Sequence, residues 1–194
     1  MTKKYLPQPV FQSKTSVEEC LLKRRSVRNF KYRKLSLQEI SQLLWSAYGV
    51  TDQENMFKTT PSAGATYPLE IFYLIEDGIY HYLPEEHAVE CIKQGDFRKE
   101  LVLSALGQDF IFDASINIII CAVYERTTLY YGNRGVRYVH FEVGHCAQNL
   151  CLQAISLGLD SVCIGAFDDK KLKNLLSISV DIEPLYIVSI GVKK

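Results

Sequence analysis

The run Ile116 to Val123, INIIICAV, limits what this chain can fold into more than any other stretch of it. It is an apolar run of strand length without the strict alternation of a strand that has one face in water, so it belongs at the centre of a sheet, buried on both sides. The flanking sequence supplies covering helices. Ser16 with Glu19 and Ser36 with Glu39 each fit the S-x-x-E capping box that satisfies free N–H groups at a helix start. The second of these helices carries Leu37, Ile40, Leu43, Leu44 and Ala47 at helical spacing and meets Gly49, a residue suited to the position just past a helix end. Asp96 can cap a helix reaching Leu106, and Arg137 to Leu157 predicts the longest helix, ended by Gly158. Asp168 is the cap expected for one more.

Strands are expected at Glu70 to Ile75, Tyr80 to Leu83, His87 to Ile92, Ser161 to Ile164 and Leu185 to Ile190, with Asp77-Gly78 marking a hairpin. Val50 to Thr60 and Glu125 to Gly135 read as polar, aromatic-bearing loops where a substrate-facing surface could lie. At 194 residues and 47% hydrophobic content the chain is expected to form one domain, 1–194, with residues 1–15 as an extended arm.

Lys plus Arg equal Asp plus Glu at 22 each, so no overall field draws the chain to nucleic acid or an anionic membrane, and any charge that matters is local. No signal peptide or long apolar span is visible, which predicts a soluble cytoplasmic protein. The six cysteines are scattered, without a C-x-x-C, and read as reduced core residues. No metal site is expected: His140 and His145 lie five residues apart, about 140° around a helix, unlike the aligned histidines of H-E-x-x-H. There is no G-x-G-x-x-G, Walker A loop or G-x-S-x-G elbow either.

Three constellations could carry chemistry, and each has a plainer reading. Arg24, Arg25, Ser26 and Arg28 gather three guanidiniums and a hydroxyl suited to a phosphate, or form a solvated basic helix end. Thr59 to Pro68, TTPSAGATYP, is a small-residue run before a strand that lets a flat ligand approach the backbone, or an ordinary tight loop. Cys163 to Asp168, CIGAFD, opens a strand end into a small-residue turn, a common ligand position in α/β layers, or a plain connection. His145 shares a helix stripe with Glu142 and Asn149, which would face a polar ligand or a subunit interface.

Taken in order, RRSVR, PSAGATYP, LGQDF, YGNRGVRYVHFEVGHCAQNL and GLDSVCIGAFD resemble the FMN-dependent nitroreductase superfamily over about residues 18 to 191, with spellings most similar to its SagB-type branch. The resemblance implies an α+β nitroreductase fold, a central mixed sheet flanked by helices in an intertwined homodimer. It implies FMN as cofactor, NAD(P)H as electron donor and ping-pong hydride transfer to a small acceptor such as a nitro-aromatic or quinone. Carried over by position, it gives Arg24 and Ser26 to the FMN phosphate with Arg25 beside them, and Arg28 to the N1/O2 edge of the ring, where a cation stabilises the negative charge of the reduced form. Pro61, Ser62, Ala63 and Gly64 would cover the flavin from the other subunit, with Gln108 at the ring edge and His145 among the cofactor-binding residues. Gly165 and Ala166 fall where a backbone N–H meets N5 and no side chain may obstruct.

The sequence departs from the pattern in three places. The basic pair that many relatives place beyond the last strand is reduced to Gly191-Val192-Lys193-Lys194, leaving Lys193 as the substitute. Ala65 replaces an asparagine of classical nitroreductases. Azoline dehydrogenases of the SagB-type branch are expected to carry Lys-Tyr before the Y-G motif, whereas Tyr130-Tyr131 stands here, and a tyrosine with its usual pKa near ~10 is a poor substitute for that base. Oxidation of a peptide-derived azoline or other C–N bond is therefore the alternative to reductase activity. A non-catalytic flavin-binding protein is the third reading.

Overall fold

The computed structural model describes residues 3–194, so the first two residues of the expected arm lie outside it. β8 (Ile116–Val123) is buried at every position. Its neighbours are β5 (Leu69–Ile75) and β10 (Ile182–Lys193), and the sheet runs on from β5 through β6 (Gly78–Leu83) and β7 (Ala88–Gln94) to β1 (Lys3–Tyr5). Beyond β10 lies β2 (Phe30–Lys31), and β9 (Asp160–Ile164) also pairs with β10.

The alternation along β8 shows why both faces had to be apolar. Ile116, Ile118, Ile120 and Ala122 join a core with α2 (Leu37–Tyr48) and α6 (Arg134–Ser156). Ile119 and Cys121 join a second core with α3 (Arg98–Ser104), α4 (Phe110–Asp113) and α7 (Asp169–Leu176). Asn117, fully buried on that second side, donates to Ile111 O at 3.1 Å and accepts from the Ser189 hydroxyl at 2.5 Å, so its burial leaves no polar group unpaired.

Every pairing between named strands is antiparallel, and the mixed character expected of the sheet reduces to an isolated parallel bridge between Ser26 and Ser161. β10 is longer than expected, and its register shifts between Pro184 and Tyr186, where proline has no N–H to give the ladder.

Both serines cap their helices, but the reciprocal box expected at each forms only at the second, since Ser16 accepts from Glu19 N without a return bond from the Glu19 side chain. Ser16 starts α1 (Val17–Lys23), and Ser36 with Glu39 completes a reciprocal box at α2. Gly158, at φ 71°, follows α6 as expected. Gly49 differs: its backbone is extended, and the reason for glycine is room, because an added Cβ would lie 2.3 Å from Trp45 Cδ1. The expected loop at Glu125 to Gly135 is instead α5 (Glu125–Tyr131) followed by the first turn of α6. α5 carries no apolar stripe because Thr127 is its one buried residue. The other expected loop is a small hairpin, β3 (Val50–Asp52) with β4 (Phe57–Lys58). Among the described residues no helix is long and apolar enough to cross a membrane, and no three His, Cys, Asp or Glu side chains are grouped to hold a metal.

Residues 3–15 lie along their own chain. Lys3 to Tyr5 pair with β7, Val10 exchanges hydrogen bonds with the Gln42 amide at 2.7 and 3.1 Å, and the hydroxyls of Ser13 and Ser156 are 2.8 Å apart.

Candidate functional site

The predicted site residues fall into two groups held on different edges of α6. The first begins where α1 stops. Arg24 is the C-cap residue, its N–H donating to Cys20 O at 2.9 Å. The next residues then run beside β9: Ser26 bridges Ser161 in parallel, and Val27 N donates to Ser161 O at 3.0 Å. β9 therefore carries the arginine segment at its start and delivers Gly165 and Ala166, both exposed, at its end.

Gln108 is drawn to the same place. Its side-chain amide donates to Ala166 O at 3.0 Å and Ala105 O at 2.9 Å, while Asp168 N–H donates to Ser104 O at 2.8 Å and fixes the turn from the other side. At the chain's end Lys193 sits opposite Phe30, two residues after Arg28, and Lys194 N donates to Asn29 O at 3.0 Å. Arg24, Arg25, Ser26, Arg28, Gln108, Gly165, Ala166 and Lys193 thus occupy neighbouring segments.

The chemistry of this group suits an anion with a flat body. Among the described residues none of Arg24, Arg25 and Arg28 is paired with a carboxylate. Arg25 is the most occupied of them, donating to Leu22 O at 3.1 Å and Arg24 O at 2.7 Å. At Gly165 an added Cβ would meet only Tyr186, at 3.7 Å, so nothing of the fold itself stands over that backbone.

The second group is the loop of Pro61, Ser62, Ala63 and Gly64. It is built on a buried acid, Glu142, which is 2% exposed. Glu142 accepts the Tyr48 hydroxyl at 2.6 Å, and the same hydroxyl accepts from Leu69 N at 3.2 Å. Burial pushes the Glu142 carboxyl up, opposed by hydrogen bonds from Ser62 and Tyr48 and by the charge of Lys58. Ser62 also accepts Tyr67 N at 2.9 Å, and Asn149 holds the loop's entry through Thr59 O at 3.3 Å and the buried Thr60 hydroxyl at 3.2 Å.

Gly64, Ala65 and Tyr67 all have positive φ, at 61°, 53° and 44°. Non-glycine residues rarely hold that conformation without surrounding support, and the contacts to Glu142, Tyr67 and Asn149 provide it. Tyr131 lies against Gly64, where an added Cβ would be 2.6 Å from its hydroxyl, and Tyr130 is 79% exposed on α5. His145 is exposed on α6 beside this group and does not join the arginines. The stripe of Glu142, His145 and Asn149 is divided by burial: Glu142 faces the core and His145 faces solvent.

At 100° per residue, Glu142 and Asn149 mark one edge of the buried arc of α6, and Cys151, which sits against β9 near Arg24, lies about 180° from Glu142 and roughly 13 Å further along. One chain therefore presents the loop and the arginine cradle on opposite edges of its longest helix. Sequence reasoning missed the Tyr48–Glu142 anchor; the visible signal was an acid inside a helical stretch that otherwise turns apolar residues inward.

A cavity of about 750 Å³ lies between the arm, α1, α2 and α6, lined by Val10, Phe11, Cys20, Trp45 and Gln153 among others, and none of the arginine group lines it.

Residues 21–192 match the model of the nitroreductase family. A Methanocaldococcus jannaschii protein provisionally named a nitroreductase is 50% identical over 183 residues, covering 91% of each chain. The crystal structure of a provisionally named nitroreductase from Ralstonia eutropha superposes with a TM-score of 0.89 at 27% identity, covering 99% of this chain and 90% of that one. The microcin B17-processing protein McbC of Escherichia coli is 28% identical over 173 residues, which span 81% of this chain and 62% of McbC.

Proposed function

Since the chain belongs to the nitroreductase family, we propose that it is an FMN-dependent oxidoreductase acting as a homodimer, with NAD(P)H as donor and a small nitro-aromatic, quinone-like or similar acceptor. The observation that carries this reading is that a single strand, β9, holds the arginine segment beside its start through the Ser26–Ser161 bridge and the open backbone of Gly165 and Ala166 at its end. Those residues fit the cofactor: guanidiniums without carboxylate partners among the described residues for a phosphate, and a small-residue strand end for a flat ring. FMN, when bound, supplies the two-electron chemistry, taking hydride from the nicotinamide and passing it to the acceptor.

The chain's own work is binding and orientation. Arg24 and Ser26 would hold the phosphate, Arg28 would place positive charge at the ring's pyrimidine edge, and Gln108 would keep the Ala166 turn in place through its bond to the carbonyl. Lys193, opposite Phe30 in the β10–β2 pairing, would add charge near Arg28. The loop at Pro61 to Gly64 would cover the cofactor of a second copy, because its own chain holds it on the far edge of α6. Exposed apolar side chains favour such a partner: Leu22 on α1 is 73% exposed and Phe141 on α6 54%.

Oxidation of an azoline or related C–N bond stands second. It draws on the similarity to McbC, but no lysine precedes Tyr131, and the exposed Tyr130 occupies that position. The test is the visible spectrum of the purified protein followed by anaerobic NAD(P)H. A yellow protein that bleaches supports the proposal. A colourless protein that takes up no FMN overturns it, and bound FMN that fails to bleach leaves a flavin carrier.

A further inference from the structure

The scattered cysteines include one close pair. Cys151 on α6 and Cys163 on β9 are twelve residues apart in sequence, and their sulfurs are 3.6 Å apart. The other four have no sulfur partner among the described residues; Cys121 and Cys146 are fully buried, and burial raises their thiols. The pair lies near Arg24, whose positive charge acts on both sulfurs, and each sulfur has a hydroxyl beside it, Ser161 at Cys151 and Tyr186 at Cys163. Cys163 is half-buried and Cys151 buried, so a small oxidant meets the pair at Cys163.

We propose that Cys151 and Cys163 are a redox-active dithiol, poised by their contact and by Arg24 to close into a reversible disulfide when a hydroperoxide reaches them. The thiolate of Cys163, the member of the pair that solvent reaches, attacks one peroxide oxygen; the S–O bond forms, the O–O bond breaks, and the departing oxygen takes a proton to become water or an alcohol. Cys151 then attacks the Cys163 sulfur. The S–S bond forms, the S–O bond breaks, and hydroxide leaves with the proton that Cys151 gives up. Two thiols lose two electrons in all, and the peroxide gains them.

The geometry asks for little movement. A disulfide needs its sulfurs about 2.05 Å apart, so the pair must close by roughly 1.5 Å, within reach of side-chain rotation where both sulfurs already touch. The contact also favours ionisation of one thiol of the pair, since its thiolate accepts the other's S–H. The product would join α6 covalently to the strand that presents Gly165 and Ala166, whether or not a flavin is bound.

The experiment is peroxide treatment of the purified protein, alkylation of remaining thiols under denaturing conditions, and peptide mapping. The expected result is a linked Cys151–Cys163 peptide lacking two hydrogens, restored to two alkylated cysteines by a dithiol reductant, with Cys20, Cys91, Cys121 and Cys146 alkylated throughout. Recovery of Cys151 and Cys163 as free thiols, or each separately over-oxidised without a link, overturns the proposal. Iodoacetamide labelling of the native protein provides a second measure. The labelling of the pair, which enters at the half-buried Cys163, should inflect below the ordinary thiol range and move towards it in Cys151→Ala. An inflection unchanged by that substitution also overturns it.

Discussion

The arginine segment and the proline-serine loop are both predicted to touch the same cofactor, yet the fold treats them in opposite ways. The loop is held from beneath: Glu142, Tyr48 and Asn149 fix its path, and it keeps three residues at positive φ. The cradle has a firm backbone, bridged to β9, but among the described residues its guanidiniums have no carboxylate partner. One region spends its polar groups on itself, while in the other only Arg25 turns a guanidinium back onto its own backbone. Shape is thus built in at the loop, while the cradle's charge waits for a ligand, as expected of a cover and of a binding site respectively.

The sharpest way to break this comparison is to damage the two regions in different chains. Arg28→Glu and Pro61→Glu should each bind little FMN alone. Refolded together in equal amounts, they form mixed dimers in which one of two sites joins an intact cradle to an intact loop, so FMN binding should return to about a quarter of the wild-type level. No recovery would place cradle and loop in the same subunit's site or remove one of them from it.

The anchor makes the next largest difference. Glu142→Ala leaves the hydroxyls of Tyr48 and Ser62 without their acceptor inside the protein, at about 1–3 kcal/mol for each unsatisfied group, so a loss of about 3 kcal/mol is expected in denaturant unfolding. Glu142→Gln keeps the shape and an acceptor and should cost less. The pH dependence has a definite sign. Because burial raises the folded-state pKa of Glu142, its protonation favours the fold; that contribution is complete below the unfolded-state value and is lost as pH rises through the folded one. The deficit of Glu142→Gln relative to wild type should therefore shrink with rising pH. A deficit that grows would show the carboxylate to be the favoured form.

How much of this was legible depends on the range over which each residue acts. β8 and α2 could be read because their burial patterns and caps are local. α5 could not, because a helix with one buried residue writes no periodic signal. The arginine cradle and the Gly165 turn were identifiable by type and order, but their adjacency depends on the Ser26–Ser161 bridge. The stripe grouped Glu142 rightly with Asn149, which holds the same loop, and wrongly with His145, which faces solvent. The partner of Glu142, Tyr48, lies 94 residues away, and only tertiary packing brings the two together. The assignment of loop and cradle to opposite edges of α6 depends likewise on which arc of that helix is buried.

A smaller effect is expected on the cradle's side. Arg28 is exposed and carries no ion pair among the described residues, so Arg28→Ala should change folding stability by no more than about 0.5 kcal/mol. Its loss should nonetheless weaken FMN binding by roughly tenfold to a hundredfold, the worth of one charge-assisted contact at about 1.5–3 kcal/mol. Unchanged affinity would remove Arg28 from the site, and a large stability loss would show the cradle to be held by its side chains after all.

The finest distinction rests on two glycines. Gly64 has φ 61°, and an added methyl would lie 2.6 Å from the Tyr131 hydroxyl; Gly165 has open space until Tyr186 at 3.7 Å. Gly64→Ala should therefore cost about 1 kcal/mol, from the left-handed backbone and the displaced tyrosine, even without cofactor. Gly165→Ala should unfold with wild-type stability in the absence of FMN and lose affinity or flavin reduction rate in its presence, because the methyl occupies space that only a ligand contests. If the costs were reversed, with Gly165→Ala destabilising the apoprotein and Gly64→Ala harmless to it, then the loop would be the open region and the cradle the preformed one.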